Sequence, residues 1–142
     1  MNAEKQFWDS NLWVYLFVPS DDPADVGKQN KLLSRLENEP DITVSVQVLN
    51  EVANVLMKKY KFDETRTEEI LDSIDQSAVV IPLTRTLSSE ALLLKKRYKI
   101  SWFDALIVAA ALFSECALLF SEDMQHGLVI EGKLTILNLF LT

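Results

Sequence analysis

Gln6-Phe7-Trp8-Asp9-Ser10-Asn11-Leu12-Trp13-Val14-Tyr15-Leu16-Phe17 decides how the chain is read. Gln6-Phe7-Trp8 reads as a short strand that stops at Asp9-Ser10-Asn11. Leu12, Trp13, Tyr15, Leu16 and Phe17 then open an apolar pattern of helical spacing. A strand that turns into a helix through polar capping residues is an α/β unit, and it leaves one carboxylate, Asp9, at the carboxyl end of the strand.

Reading outward, a loop from Pro19 to Pro23 leads to a helix from about Ala24 to Glu37, with Leu32, Leu33 and Leu36 on its inner side. Ile42, Val44 and Val46 alternate as a strand does, while Ser45 offers a competing cap for a helix striped by Val48, Val52, Val55 and Leu56. Another helix fits Asp63 to Asp75. Val79-Val80-Ile81 is a β-branched strand stopped by Pro82, and Thr84 caps a helix running to Tyr98. Ser101-Trp102-Phe103-Asp104 has the form of a capping box, and Ala105 to Cys116 is apolar almost all round, as a central helix is. Ala117-Leu118-Leu119-Phe120 is a short buried strand that stops at Ser121-Glu122-Asp123, and a final strand fits Leu134 to Leu137. The alternation predicts a three-layer α/β/α sandwich around a mainly parallel sheet. Sites in such sheets lie beyond the carboxyl ends of the strands, where Asp9 and Asp123 both fall.

The chain has 142 residues, 49% of them hydrophobic, and only three Gly and four Pro, which predicts one compact domain over 1–142 with few long loops. No apolar run approaches the roughly 20 residues that cross a bilayer. The start Met1-Asn2-Ala3-Glu4-Lys5-Gln6 lacks the basic and apolar regions of a signal peptide, so a cytoplasmic protein without membrane contact is expected. Cys116, the sole cysteine, reads as a buried structural thiol in a helix, and His126, the sole histidine, is too little for a zinc cage. A net charge of −7 excludes a protein coated in positive charge that grips nucleic acid non-specifically. It leaves room for a local basic rim, because seven of the fourteen Lys and Arg fall in Lys58-Lys59-Lys61 and Lys95-Lys96-Arg97-Lys99. Solvated helix ends account for either cluster alone equally well.

Four carboxylates stand out. Asp9 has a structural alternative as a helix cap, Asp104 as the third member of its capping box, and Asp123 as a residue that shapes the turn before Gly127. Glu51 is harder to explain this way, since it lies beside Val48, Val52 and Val55, and its i+3 and i+4 neighbours are Asn54 and Val55. Asp104 likewise precedes Ile107 and Val108 at those offsets. Arg66 and Arg85 are the candidates for a concealed ion-pair partner. Convergence of all four on a hard cation such as Mg²⁺ or Mn²⁺ is the more economical account.

In order and context these residues resemble a known family. Phe7-Trp8-Asp9-Ser10-Asn11, Glu51 within Val48-Leu49-Asn50-Glu51-Val52, Trp102-Phe103-Asp104-Ala105-Leu106-Ile107-Val108-Ala109-Ala110-Ala111, and Phe120-Ser121-Glu122-Asp123-Met124-Gln125-His126-Gly127 are similar to the four acidic motifs of PIN-domain ribonucleases. Among these, the VapC-type toxins of bacterial toxin–antitoxin pairs are the nearest in pattern, from first strand to last. The resemblance implies an endoribonuclease that cleaves single-stranded RNA or exposed RNA loops with Mg²⁺ or Mn²⁺. It matches Asp9, Glu51, Asp104 and Asp123 to the metal-binding set, Ser121 to a supporting hydroxyl residue that is often Thr, and Asn11 to an orienting Asn. Ser10 stands where Thr is common, and Gln125 where some members carry a further acid. The resemblance also implies a homodimer and a small antitoxin partner.

A cation held by Asp9, Asp104 and Asp123 would polarise a phosphodiester oxygen and acidify a water for in-line attack, with Glu51 either completing the shell or taking the proton. Lys58, Lys59, Lys95 and Lys96 are candidates to draw in the RNA backbone, and Trp13 or Trp102 to stack on a base, although core packing is the commoner role of such tryptophans. Leu12, Tyr15, Leu16 and Leu36 suit dimer or antitoxin contacts and suit the core equally. Three other readings compete. A phospho-acceptor signalling domain needs adjacent acids after its first strand, and a haloacid-dehalogenase-like phosphatase needs Asp-x-Asp; residue 11 is Asn. A catalytically inactive or regulatory α/β binding module would be expected to have lost one of the four acids.

Overall fold

Short strands alternate with helices in the order β1 (Gln6–Trp8), α1 (Ser10–Phe17), α2 (Pro23–Leu36), β2 (Ile42–Ser45), α3 (Val46–Lys58), α4 (Glu64–Ser77), β3 (Val79–Ile81), α5 (Arg85–Tyr98), α6 (Trp102–Phe113), β4 (Leu118–Phe120), β5 (Val129–Ile130) and β6 (Leu134–Leu137). The structure is a computed structural model and describes residues 4–141. The strands form one sheet ordered β3-β2-β1-β4-β6-β5. All neighbours pair in parallel except β5 with β6. From β1 the chain steps outward to β2 and β3, then returns to β4 on the other side of β1. Parallel crossovers are right-handed, so reversing the direction of travel moves the connecting helices to the opposite face. The helices α1 to α4 therefore cover one face and α5 with α6 the other, which is the expected three-layer sandwich. The reversal opens a crevice between β1 and β4 at their carboxyl ends. Asp9 and Ser121 are the first residues beyond those two strands.

Six helices start on a side chain that accepts a backbone N–H: Asp9, Asp22, Ser45, Asp63, Thr84 and Ser101. Such caps contribute about 1 kcal/mol each. Ser45 decides one local competition, because its Oγ accepts from the Val48 amide at 3.4 Å and ends the strand there. Val46 is consequently helical and exposed, not the third alternating residue of β2. Proline at its start lets α2 begin at Pro23, and Leu32 is its buried side chain while Leu33 points to solvent. The helix α6 stops at Phe113, so Cys116 is buried in the turn before β4, its N–H bonded to the Ala111 carbonyl, and is not helical. The two-residue β5 has no counterpart in the sequence reading.

Phe7, Trp8, Leu12, Trp13, Leu119 and Phe120 centre the core, and Ala105 to Ala111 of α6 are all buried against it. Leu12 and Leu16 are thus core residues and offer no docking surface; Tyr15 and Leu36 are half-buried on its edge. No helix among the described residues is long and apolar enough to cross a membrane. Lys99 ends α5 in the left-handed region at φ 54°, where an L side chain is strained. Lys99→Gly is expected to raise stability by about 1 kcal/mol, read as a higher urea midpoint at unchanged slope; an unchanged or lower midpoint would contradict the strain.

Candidate functional site

Asp9 caps α1 and is 5% exposed. Its Oδ1 accepts from the Ser10 amide at 2.7 Å and its Oδ2 from the Ser121 hydroxyl at 2.9 Å. Burial nevertheless dominates and raises its pKa from 3.8 to about 6, with Glu51 and Asp104 adding repulsion against those two stabilising bonds. The cap therefore accounts for one oxygen and leaves a carboxylate that is costly to ionise.

Glu51 projects from α3, half-buried, into the same crevice. Ser10 Oγ donates to its Oε2 at 3.0 Å and Gln47 Nε2 to its Oε1 at 3.0 Å. Neither Arg66 nor Arg85 reaches it. The Arg66 guanidinium lies 3.9 Å from the Phe62 ring centroid, and Arg85 donates to Ser89. Asp104 keeps its capping-box place, its amide donating to Ser101 Oγ at 3.1 Å, while its half-buried carboxyl has a pKa raised by desolvation first and by Asp123 in addition, with Ser101 opposing. Asp123 is exposed; Asn11 Nδ2 donates to its Oδ2 at 2.5 Å, and its amide donates to Ser121 Oγ at 3.3 Å. Repulsion thus links Asp9 to Glu51 and Asp104, and Asp104 to Asp123. Four carboxylates from four separate parts of the chain share one electrostatic neighbourhood, and none carries a salt bridge among the described residues.

By chemistry this donor set fits a hard divalent cation: every group is an oxygen donor, the groups repel one another, and one is buried at a cost that a cation would offset. By distance it is not yet closed. Among the described residues, no three His, Cys, Asp or Glu stand close enough to hold a metal ion. The side chains would have to draw together to do so.

The structure adds partners that the sequence reading passed over. Ser10 is more than a retained hydroxyl, since it touches both Asp9 and Glu51. Gln47 lies four residues before Glu51, one helical turn toward the N-terminus of α3. Glu122 is withdrawn from the site: Lys28 Nζ bonds its Oε2 at 2.5 Å, and the Tyr15 hydroxyl donates to its Oε1 at 2.6 Å. The Glu122 bond first, and a bond from Lys28 Nζ to the Tyr15 hydroxyl at 3.1 Å second, raise the Lys28 pKa, and the three side chains pin the turn after β4 to α1 and α2. Lys58 and Lys59 end α3, about 10 Å along the helix from Glu51. Lys95 and Lys96 end α5, where Arg97 forks onto both oxygens of Glu131 at 2.7 Å. Trp13 is fully buried and its ring lies 4.8 Å from that of Trp8, which removes it from base stacking. Trp102 is half-buried against the core, whereas its neighbour Phe103 is 63% exposed.

The PIN domain family model matches residues 7–127, a span that holds all four acids, Asn11 and Ser121. A comparison with curated proteins finds no match. Among solved structures, a toxin–antitoxin complex from Klebsiella pneumoniae aligns over 94% of this chain and 97% of its own at 22% identity, with a TM-score of 0.68. VapBC2 from Rickettsia felis, bound to a DNA fragment from their promoter, aligns over 94% and 98% at 17% identity with a TM-score of 0.64. Mycobacterium tuberculosis VapC20, a sarcin–ricin loop cleaving toxin, aligns over 83% and 91% at 20% identity with a TM-score of 0.63. At these identities the likeness is one of fold.

Proposed function

The chain belongs to the PIN domain family, and on that premise we propose that it is an endoribonuclease, dependent on Mg²⁺ or Mn²⁺, and the toxin of a toxin–antitoxin pair. The observation that supports this reading is the mutual repulsion that links Asp9 to Glu51 and Asp104, and Asp104 to Asp123, with no cationic side chain paired to any of the four among the described residues. Asp9, Asp104 and Asp123 are the cation's main holders. Glu51 either joins them or accepts the proton of the attacking water. Bound Mg²⁺ or Mn²⁺ would supply charge neutralisation at a phosphate oxygen and an acidified water. Ser121 and Ser10 orient Asp9, and Asn11 orients Asp123. Phe103, exposed beside Asp104, supplies an aromatic face on which an unpaired base can stack. Lys58, Lys59, Lys95 and Lys96 offset part of the negative field that would repel an RNA backbone.

Residues 1–142 act as one PIN-like domain in the cytoplasm in this reading. The net charge of −7 suits a basic antitoxin segment, and the Klebsiella structure of this fold is a toxin–antitoxin complex. Leu92 and Leu93 of α5 and Phe113 of α6, exposed at 55%, 65% and 68%, are better homodimer contacts than the buried Leu12 and Leu16. A second reading, a binding module without catalysis, is favoured by the open spacing of the acids. Incubating the purified protein with a mixed RNA pool that includes tRNA decides between them. Cleavage is expected with Mg²⁺ or Mn²⁺, is expected to stop in EDTA, and should return on re-addition of the metal. A wild-type protein inert with both ions would give the binding module the field.

A further inference from the structure

Gln47 sits in the first turn of α3 and is 8% exposed. Its Nε2 donates to Glu51 Oε1 at 3.0 Å and to the Phe103 carbonyl oxygen at 3.2 Å. Both partners are acceptors, so the amide has one tenable orientation; turned over, it would set its own oxygen against a carboxylate and a carbonyl. An amide nitrogen carries two hydrogens, and here both are committed. One holds Glu51, whose other oxygen is held by Ser10. The second holds the first turn of α6 at the residue before Asp104. A lysine in this place would reach the same carboxylate but would neutralise it and compete with a cation. A neutral donor fixes the carboxylate and leaves its charge available.

We propose that Gln47 is a positioning residue: it sets Glu51 and the first turn of α6 against each other, so that Glu51 and Asp104 meet a divalent cation at a fixed separation. This rests on the divalent-cation part of the ribonuclease reading. Gln29 provides an internal comparison, because its Nε2 also donates twice, to the Tyr15 and Leu16 carbonyls at 3.3 and 3.1 Å, without touching a carboxylate. Loss of structure alone predicts that Gln47→Met and Gln29→Met behave alike.

The test is Mn²⁺ binding to the full chain, read from the electron paramagnetic resonance of free Mn²⁺, for wild type and both variants. Gln47→Met is expected to weaken binding about 10- to 100-fold while Gln29→Met stays within about twofold of wild type. RNA cleavage by Gln47→Met should recover most of its rate at saturating Mn²⁺, which places the loss in the metal requirement. Equal Mn²⁺ affinity of wild type and Gln47→Met, or equal weakening in both variants, overturns the proposal. A wild type that binds no Mn²⁺ at millimolar concentration removes the cation reading itself and the proposal with it. Should Gln47→Met not fold, ¹⁵N-labelled wild type titrated with Mg²⁺ gives the answer: the Gln47 side-chain amide resonances should move with the midpoint of metal binding, and stationary resonances would refute the role.

Discussion

Asp9→Asn should reduce RNA cleavage at saturating Mn²⁺ by at least about 100-fold, roughly 3 kcal/mol of lost transition-state stabilisation, and should make the metal-free protein more stable at pH 7. The two effects have one origin. A carboxylate that is 5% exposed, with its pKa raised from 3.8 to about 6, penalises the folded state whenever it is ionised. That shift corresponds to about 3 kcal/mol at neutral pH. Asparagine keeps the cap on the Ser10 amide but cannot satisfy Ser10 and Ser121 with its single oxygen, which returns about 1 kcal/mol. A net gain of about 2 kcal/mol is expected by urea unfolding in EDTA.

The sign with pH follows from the raised pKa. The folded protein holds the Asp9 proton more tightly than the unfolded chain does. The penalty is therefore absent below pH 3.8, grows between there and about 6, and is complete above it. The advantage of Asp9→Asn should shrink as the pH is lowered from 7 towards 5. A variant no more stable than wild type at pH 7 would mean that the Asp9 charge is compensated in the metal-free protein. A variant that cuts RNA at the wild-type rate would remove Asp9 from the site.

Strand and helix order was legible because each transition is marked by a short polar side chain, and six of those side chains cap a helix in the structure. The misread boundaries are places where two local signals compete. Val46 continues the alternation of Ile42 and Val44, but the Ser45 cap turns the chain one residue earlier. Cys116 extends the apolar run of α6, yet Ser114 already ends the helix. Val129 and Ile130 are too short a run to signal a strand; they pair because β6 presents a free edge.

Glu51 and Asp104 stood out in the sequence because their i+3 and i+4 neighbours carry no charge, and Asp9 and Asp123 because each ends a strand; the fold sets Asp9 in repulsion with Glu51 and Asp104, and Asp104 with Asp123. Their neutral partners did not stand out. Gln47 precedes Glu51 by one helical turn, and its second bond, to Phe103 of α6, joins residues far apart in sequence. Lys28 binding Glu122 is equally long-range. Periodicity cannot reveal contacts made by tertiary packing, which also explains why Leu12 and Leu16 read as possible surface and proved to be core.

Ser121→Ala should carry the second large effect, because this 1% exposed hydroxyl has three bonds and all serve the crevice. It donates to Asp9 Oδ2 at 2.9 Å and accepts from the amides of Asp123 and Met124, each at 3.3 Å. Alanine leaves a buried carboxylate oxygen and two amide hydrogens without these partners, an expected loss of about 2–3 kcal/mol in EDTA. The loss should be larger at pH 7 than at pH 5, since Ser121 is one of the two bonds that hold the Asp9 pKa down, and without it the ionised carboxylate is less favourable still. Cleavage should fall about 10- to 100-fold, as for other groups that orient a metal ligand. Ser121→Thr separates the hydroxyl from the space it occupies: it keeps all three bonds and adds one methyl to a packed position, so it should cleave within about threefold of wild type while losing about 1 kcal/mol of stability. Equal cleavage by Ala and Thr variants would show that the hydroxyl does not orient Asp9 during the reaction. Equal loss in both would assign the effect to packing.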